Sequence, residues 1–353
     1  MFKLIALPAE NGDCLLIEYG DPKRPCRMLI DTGTKVAYPH LRDKILEIGE
    51  KDRQFELMVL THYDNDHILG ALDLFDDNDL KIKYEDVWFN GWPHITDKPE
   101  DLLGPREAEI FSHYLYTKKF PWNRSFSGKA AAINQNKPIT KNLPSGMKLI
   151  LISPNFADFK RLREDWKNRL EEIGVEPGVG LGSELPPDVL GDRSPSIDKV
   201  KELATANYTH KHTPANQSSI ALIAEIENKR FLLAGDASPE NLLESIKNID
   251  PGETKFKIDL FKVSHHASKY NTTNELLKKL NCQKYVITTN GKTHHHPDME
   301  GISKIVAFGG NKSKTLFFNY QTEFNKYWNN DTLMNEFEYR TVFGKNGYLE
   351  ISI

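Results

Sequence analysis

Three features of this 353-residue sequence predict a mixed fold of the α/β (α+β) class. Short runs of β-branched and aromatic residues alternate with segments whose apolar residues recur at helical spacing. The strand-like runs end repeatedly in Asp, Asn or His, at the position where open α/β sheets hold their active sites. No apolar run in the sequence approaches the roughly 20 residues that a membrane span requires, so no membrane segment is expected.

The elements follow from these patterns in chain order. Strands are predicted at residues 15–19, 28–30, 55–60, 84–92, 147–152, 220–225, 230–234, 258–263 and 284–288. A turn is predicted at residues 20–22, and helices are predicted at residues 38–48, 106–118 and 156–173 and from about residue 267 to 280. The Gly- and Pro-rich residues 174–196 predict a loop. His67 is expected at the start of another helix, because the apolar residues after it have helical spacing.

Composition excludes several classes of protein. A formal net charge of −4 is not the charge of a protein that coats duplex nucleic acid. Cys14, Cys26 and Cys282 are scattered, which disfavours a disulfide framework or a cysteine zinc site. The N-terminus has no basic segment before its apolar stretch, so a cytoplasmic location is expected.

The chemistry is concentrated in residues 61–67, which read Thr-His-Tyr-Asp-Asn-Asp-His. Carboxylates this close together repel each other and are costly to bury unless a cation neutralises them. Imidazole and carboxylate ligands together suit Zn²⁺, Mn²⁺ or Fe²⁺. A divalent metal site is therefore predicted in this loop.

This segment resembles the signature of the metallo-β-lactamase superfamily, H-x-H-x-D-H, with Asp64 in place of the second His. With Asp64 at this position, the segment resembles one subgroup in particular, the ComEC-like one. This subgroup comprises the metallo-β-lactamase domain of a DNA-uptake protein and its free-standing relatives. Other stretches resemble the subgroup in the same order: residues 11–17, 29–33, 216–220, 232–237, 262–268 and 296–297. The resemblance implies an αββα sandwich, in which two mixed β-sheets lie face to face with helices outside. It also implies a single domain over residues 1–353, with insertions at about 93–142 and 155–212.

Carried over residue by residue, the resemblance implies metal ligands at His62, Asp64, Asp66, His67, Asp236 and His265. His62 and Asp64 are expected on one ion and Asp66 and His67 on a second, with Asp236 bridging both. The expected cofactors are thus two divalent ions, Zn²⁺ or Mn²⁺, which activate water as the nucleophile. Asp66 and His296 are the candidate catalytic residues, His296 as a general acid or phosphate contact.

Four further residues are expected to contact the substrate or to support the ligands: Asp31, Asn216, His266 and Ser268. Asp31 is expected to orient the metal-binding loop through hydrogen bonds. The family usually has a His where Asn216 stands, and Asn is a weak ligand, so this chain departs from the pattern there. His210 and His212 are expected to be exposed loop residues. Because a strand alternates its faces, only one of His265 and His266 is expected to point into the site, and His265 is the predicted ligand.

Three functions remain open at this point. The leading hypothesis is a dinuclear phosphodiesterase or nuclease acting on single-stranded nucleic acid, an oligonucleotide or a small phosphodiester, which suits the acidic pI better than a duplex does. The second is a hydrolase of a lactam, thioester or phosphorylcholine ester. The third is a non-catalytic effector or sensor that retains the fold. A protein partner or a second copy of the chain is also envisaged, with residues 93–142 and 174–196 as the places where a partner or lid would act.

Overall fold

The computed structural model describes residues 1–96, 106–171, 194–208, 212–252, 254–310 and 313–353. Its strands are β1 (Phe2–Ala6), β2 (Leu15–Asp21), β3 (Arg24–Ile30), β4 (Gln54–Phe55), β5 (Leu57–Val59), β6 (Lys83–Tyr84), β7 (Val87–Trp88), β8 (Ile139–Asn142), β9 (Lys148–Ser153), β10 (Ala221–Ile226), β11 (Lys229–Leu233), β12 (Phe256–Ile258), β13 (Leu260–Lys262), β14 (Leu280–Cys282), β15 (Lys284–Ile287), β16 (Lys314–Phe318), β17 (Tyr339–Phe343) and β18 (Leu349–Ser352). Its helices are α1 (Tyr38–Leu46), α2 (Asn65–Asp76), α3 (Trp92–Ile95), α4 (Arg106–Thr117), α5 (Asp158–Glu171), α6 (Ile197–Thr205), α7 (Pro214–Gln217), α8 (Pro239–Ile249), α9 (Asn274–Lys279), α10 (Met299–Phe308) and α11 (Asp331–Glu336). None of the helices in the described ranges has the length and apolar character needed to cross a bilayer.

Two mixed sheets dominate the fold. The first has the strand order β18-β1-β2-β3-β5-β7 and the second the order β17-β16-β15-β13-β11-β10-β9-β8. In the first sheet β3, β5 and β7 run parallel to one another. In the second sheet the parallel strands are β11, β13, β15, β16 and β17. The remaining neighbours in both sheets are antiparallel. Because parallel strands end at the same sheet edge, the loops after them are brought together.

Three apolar cores show how the layers are stacked. One core contains side chains of both sheets and lies between them; within it the rings of Phe2 and Phe231 stack at a centroid distance of 3.5 Å. A second core packs the other face of the first sheet against α1, α2 and α4, and a third packs the second sheet against α8, α9 and α10. Apolar residues therefore alternate between an inner and an outer core along each sheet. The prediction of an αββα sandwich is confirmed.

Several predicted element boundaries were wrong. The predicted strand 55–60 is interrupted at Glu56, and the predicted strand 258–263 is interrupted at Asp259. In each case the first half pairs in a small two-stranded sheet and the second half enters a large sheet. Both halves are apolar, so periodicity gives no sign of the change of partner.

Other differences concern the ends of elements. Strand β2 continues through Gly20 to Asp21, which pairs with Arg24, so the first turn lies two residues later than predicted. The predicted strand 84–92 ends at Trp88, and Trp92 begins α3 instead. The predicted helix after residue 267 is short, because residues 268–273 form turns before α9. Of the loop predicted at 174–196, residues 174–193 lie outside the described part of the chain.

The C-terminal part, for which no elements were predicted, completes both sheets. Strands β16 and β17 extend the second sheet, and β18 pairs antiparallel with β1 in the first. Strand β18 therefore closes the edge of a sheet that begins at the N-terminus of the chain. The sheet edge on that side of β1 is therefore the four-residue strand β18, and short edge strands limit pairing with other molecules.

His94, in α3, is expected to make the folded protein less stable against unfolding at acidic pH. Burial lowers the pKa of this imidazole from its ordinary 6.5 to about 4. Between those two pH values the unfolded chain binds a proton that the folded chain does not, so stability falls as the pH is lowered from 6.5 to 4. By pH 5 the loss is about 2 kcal/mol. Urea unfolding of the native protein and of His94→Gln at pH 7 and pH 5 checks this, with the variant losing less; parallel pH dependences would show that His94 is not responsible.

Candidate metal centre

The predicted site residues meet at one edge of the sandwich, where parallel strands of both sheets end. His62 follows β5 of the first sheet, and Asp236 follows β11 of the second. His265 and His266 follow β13, and His296 lies in the loop after β15. The candidate site residues thus come from both sheets, and all lie in or beside the loops that follow the carboxyl ends of parallel strands.

Four buried side-chain atoms converge there, and none has a hydrogen-bond partner among the described residues: His62 Nε2, His67 Nε2, His266 Nε2 and Asp236 Oδ1. Asp236 Oδ2 lies 3.6 Å from His67 Nε2 and 3.9 Å from His62 Nε2, while Asp236 Oδ1 lies 3.9 Å from His266 Nε2. An unpaired buried polar atom costs about 1–3 kcal/mol. A set of such atoms aimed at one another is therefore the arrangement that cations would satisfy.

These atoms form two overlapping groups of potential ligands. His62, His67 and Asp236 form one group, and Asp66, His67 and His266 form the other, with the ligand atoms of each within 4.8 Å of one another. Imidazole nitrogens with carboxylate oxygens are a donor set that suits Zn²⁺ and Mn²⁺. The residues present therefore fit divalent metal ions.

The acidic residues of the loop approach the same place. Asp64, the N-cap of α2, lies with Oδ2 3.5 Å from His62 Nε2. Asp66 Oδ2 lies 3.9 Å from His67 Nε2 and accepts a hydrogen bond of 3.1 Å from Asn11 Nδ2. Gly12 permits this approach, since a Cβ there would lie 1.6 Å from the carbonyl oxygen of Asp66. The turn between β1 and β2 is thus fitted against the metal-binding loop.

Asp31 lies behind the centre and organises it. Its carboxylate accepts hydrogen bonds from the Thr61 amide at 2.7 Å, from Thr61 Oγ1 at 2.8 Å and from His67 Nδ1 at 2.8 Å. Because Thr61 Oγ1 donates to Asp31, it accepts from His62 Nδ1, which lies 2.9 Å away. These contacts place a proton on Nδ1 of both imidazoles, so that Nε2 faces the centre and is the nitrogen left for a metal.

Without metal, the charges of the site keep Asp236 ionised and His266 neutral, as ligands must be, but favour a protonated His67. Burial opposes the ionisation of Asp236, but His265, His67 and His266 hold its pKa well below the ordinary value. Burial and the nearby Lys262 ammonium lower the pKa of His266 far below 6.5, so its imidazole is neutral. For His67, the carboxylates of Asp236, Asp31 and Asp66 outweigh burial and raise its pKa well above 6.5.

His265 and His266 do not follow the alternation that was predicted. They lie beyond the end of β13 in a tight turn, where His265, His266 and Ala267 all have positive φ angles of 46°, 52° and 66°. Both rings therefore approach Asp236, with His265 Nε2 3.8 Å and His266 Nε2 3.9 Å from a carboxylate oxygen. Residues 265–268 resemble the family pattern H-H-G-S, which has Gly where this chain has Ala267. The left-handed conformation of Ala267 accounts for that Gly, because Gly adopts a positive φ without strain.

The two histidines differ in their surroundings. His266 is buried, and its Nδ1 donates to the carbonyl oxygen of Thr288 at 2.5 Å. His265 is partly exposed, its Nδ1 lies 3.0 Å from Asn271 Oδ1, and its ring centroid is 5.2 Å from that of His296. His265 thus faces the mouth of the site, while His266 belongs to its floor.

The other predicted site residues lie around this centre. His296 is largely buried, with Nδ1 3.6 Å from Asp298 Oδ1. Asn216 is buried in α7, and its Oδ1 has no hydrogen-bond partner. The buried Ser268 accepts the amide of Tyr270 at 3.4 Å within the turn after His266.

Two other histidines and a set of supporting residues complete the comparison with the sequence. His212, expected to be exposed, is largely buried 3.6 Å from Glu240, and His210 lies outside the described residues. Six residues that contact the candidate ligands or lie directly behind them were not predicted from the sequence: Asn11, Asp13, Thr61, Lys262, Asn271 and Thr288. One signal was available, because Lys262 interrupts an otherwise apolar strand and a buried lysine needs a counter-charge.

One comparison with known proteins identifies the family. Residues 7–288, about four fifths of the chain, match the family model of the metallo-beta-lactamase superfamily. No curated protein matches the chain. Among solved structures, the chain is similar to the metallo-beta-lactamase fold protein YhfI from Bacillus subtilis, with 10% identity and a TM-score of 0.39 over 99% of this chain and 100% of that one. It is also similar to Zn²⁺-bound PqqB from Methylobacterium extorquens, with 11% identity and a TM-score of 0.44 over 100% of both chains. A long form of RNase Z from yeast is similar at 12% identity and a TM-score of 0.41, over 99% of this chain and 41% of that one.

Proposed function

Because the chain belongs to the metallo-beta-lactamase superfamily, we propose that it is a metal-dependent hydrolase with two divalent ions that cleaves phosphodiesters. One observation carries the proposal: the two carboxylate oxygens of Asp236 face different buried imidazoles. Its Oδ2 lies near His67, and its Oδ1 lies near His266. A carboxylate placed in this way suits a bridging ligand. Two divalent ions held by these residues would supply activation of water and neutralisation of the charge that develops in a phosphoryl displacement.

The chain's own residues divide into two sets. By the family resemblance, His62 and Asp64 would hold one ion, Asp66 and His67 would hold the other, and Asp236 would serve both. His266, with its buried and unpartnered Nε2, is a better candidate than His265 for the remaining ligand. Two carboxylates in the loop make the site harder than an all-imidazole one, which favours Mn²⁺ alongside Zn²⁺.

A substrate of modest size suits the charge of the protein. The formal net charge of −4 disfavours a duplex, whose binding depends on many phosphate contacts. A single strand, a short oligonucleotide or a small phosphodiester needs fewer cationic contacts. His265 and His296, which face each other at the mouth, are placed to meet such a substrate.

Activity assays on three substrate classes test the proposal. Protein purified without added metal is analysed for bound metal, then assayed with Zn²⁺ or Mn²⁺ on bis-p-nitrophenyl phosphate, nitrocefin and a thioester. We expect cleavage of the phosphodiester and no comparable turnover of the other two. Turnover of nitrocefin or the thioester alone would favour hydrolysis of a non-phosphate bond, and full biological activity of Asp66→Ala would favour a non-catalytic role.

His296 predicts a dependence on the leaving group. The Asp298 carboxylate lies 3.6 Å from His296 Nδ1, beyond hydrogen-bond distance, and the His296 ring lies beside that of His265, where we take it to give a proton to the leaving oxygen. We expect His296→Asn to lower kcat on a dinucleotide, whose alkoxide needs the proton, by about 10²–10⁴-fold. The same variant should lose little on bis-p-nitrophenyl phosphate, because p-nitrophenolate leaves without protonation.

The neighbouring His295 provides a matched control, since its ring packs against Phe324 at a centroid distance of 5.1 Å. His295→Asn should leave kcat on both substrates close to the native value. Equal losses on both substrates for His296→Asn would show that this residue binds or positions the substrate and does not donate a proton.

A further inference from the structure

A buried ion pair lies directly beneath the candidate metal centre. Lys262, at the end of β13, is fully buried and pairs with the equally buried Asp13 from the turn between β1 and β2. Each member of such a pair is costly to remove from water, and a well-packed apolar pair is often as stable. The pair is therefore not explained by its contribution to folding alone.

The pair is connected to His266 by a short set of contacts. Thr288 Oγ1 donates a hydrogen bond to Asp13 Oδ1, and the carbonyl oxygen of Thr288 accepts from His266 Nδ1 at 2.5 Å. Asp13 Oδ1 itself lies 3.8 Å from His266 Nδ1. Asp13 belongs to the first sheet's connections and Lys262 to the second sheet, so the pair joins the two sheets at the back of this imidazole.

We propose that Asp13 and Lys262 are positioning residues for the metal centre, which hold His266 through Thr288 so that its Nε2 faces Asp236. The inference rests on the proposed metal centre and assigns neither residue to metal or substrate. Lys262 fixes the carboxylate of Asp13, and Asp13 fixes the Thr288 hydroxyl. The residue whose carbonyl oxygen accepts from His266 is thereby held in one place.

The position of this pair parallels that of Asp31. Asp31 accepts directly from His67 Nδ1, whereas Asp13 acts on His266 through Thr288. Asp13 and Asp31 also lie close to each other: one carboxylate oxygen of each and a nitrogen of His67 all lie within 4.8 Å of one another. Two carboxylates so close need a buried cation, and the Lys262 ammonium supplies that charge without occupying the metal centre.

Titration with Co²⁺ tests the inference without any substrate, because the visible absorption of Co²⁺ reports the geometry of its ligands. We expect the native protein to bind two Co²⁺ ions. Asp13→Asn and Lys262→Met should each bind one of the two ions ten- to a hundredfold more weakly, with altered absorption. The double variant should be no worse than the weaker single variant, because both residues act through one contact.

Controls separate positioning from general damage. Lys314→Met removes another largely buried lysine, in β16, and should leave both Co²⁺ affinities unchanged even if the protein is less stable. Should Asp13→Asn or Lys262→Met not fold, Thr288→Val removes only the hydroxyl and should weaken the same ion, while Thr288→Ser should retain native binding.

Two results would overturn the inference, and they differ in what they say of the proposed function. Native protein that binds two Co²⁺ ions, with folded Asp13→Asn and Thr288→Val unchanged in affinity and spectrum, would refute the positioning role alone. Native protein that binds no Co²⁺ would refute the metal centre, and the positioning role with it.

Discussion

Asp236→Asn is expected to abolish binding of the two proposed metal ions and to lower the proposed phosphodiesterase activity by about a thousandfold or more. The two carboxylate oxygens of Asp236 approach different imidazoles, Oδ2 those of His62 and His67 and Oδ1 that of His266, so loss of its charge should weaken the binding of both ions. An amide supplies a single neutral oxygen and cannot neutralise two cations. The loss of activity should therefore come with loss of metal and should not be restored by higher metal concentrations in the micromolar range.

Stability provides a second measurement of the same change. An ion present at a hundredfold excess over its Kd stabilises the folded state by about 2.7 kcal/mol, so two ions stabilise the native protein by roughly 5 kcal/mol. Thermal unfolding with and without metal should show this gain in the native protein and almost none in Asp236→Asn. Asp259→Asn, which alters a carboxylate hydrogen-bonded to the Arg230 amide in the same sheet, should keep the full gain. Retention of both ions by Asp236→Asn would contradict the bridging role.

The sequence was sufficient to predict the parts of the site that depend on local order. His62 and Asp64 lie in the short loop between β5 and α2, and His67 lies in the first turn of α2, so their proximity follows from chain connectivity. Asp236 and the His265-His266 pair also come at strand ends, and parallel strands bring those ends to one edge. The family resemblance then indicated which of these ends face each other.

What the sequence did not predict depends on contacts between distant segments or on unusual backbone angles. The pairing of Asp13 with Lys262 joins residues from different sheets, and nothing in either local pattern identifies the partner. The orientation of His266 depends on consecutive positive φ angles, which alternation along a strand does not anticipate. The division of the strands at Glu56 and Asp259 has the same origin, because it is decided by which strand is adjacent and not by hydrophobicity.

The supporting contacts would hold the imidazoles of the candidate centre in place before metal binds. His62, His67 and His266 each have Nδ1 engaged, by Thr61, Asp31 and the Thr288 carbonyl oxygen respectively. Their Nε2 atoms are then directed inward without cost to side-chain freedom at the time of binding. The same rigidity leaves the imidazoles close to carboxylates, and this proximity makes metal binding sensitive to pH.

Metal affinity is expected to rise about tenfold per pH unit from pH 6 toward neutrality because of His67. In the metal-free protein Asp236, Asp31 and Asp66 overcome the effect of burial and hold the pKa of His67 well above 6.5, so the ring carries a proton that a metal must displace. Below that pKa each unit of acidity costs a factor of ten in affinity through this residue, and above it the dependence ends. His266 adds nothing near neutral pH, because its pKa lies far below 6.5.

Competition with a chelator at pH 6, 7 and 8 measures the affinity, and calorimetry in two buffers of different ionisation enthalpy counts the protons released. Asp31→Asn sharpens the test: it removes one of the three carboxylates that raise the pKa of His67, so fewer protons should be released at pH 7. An affinity that stays constant from pH 6 to pH 8, with no proton release, would mean that His67 is already neutral or is not a ligand. A slope that persists unchanged in Asp31→Asn would place the displaced proton on another residue of the centre.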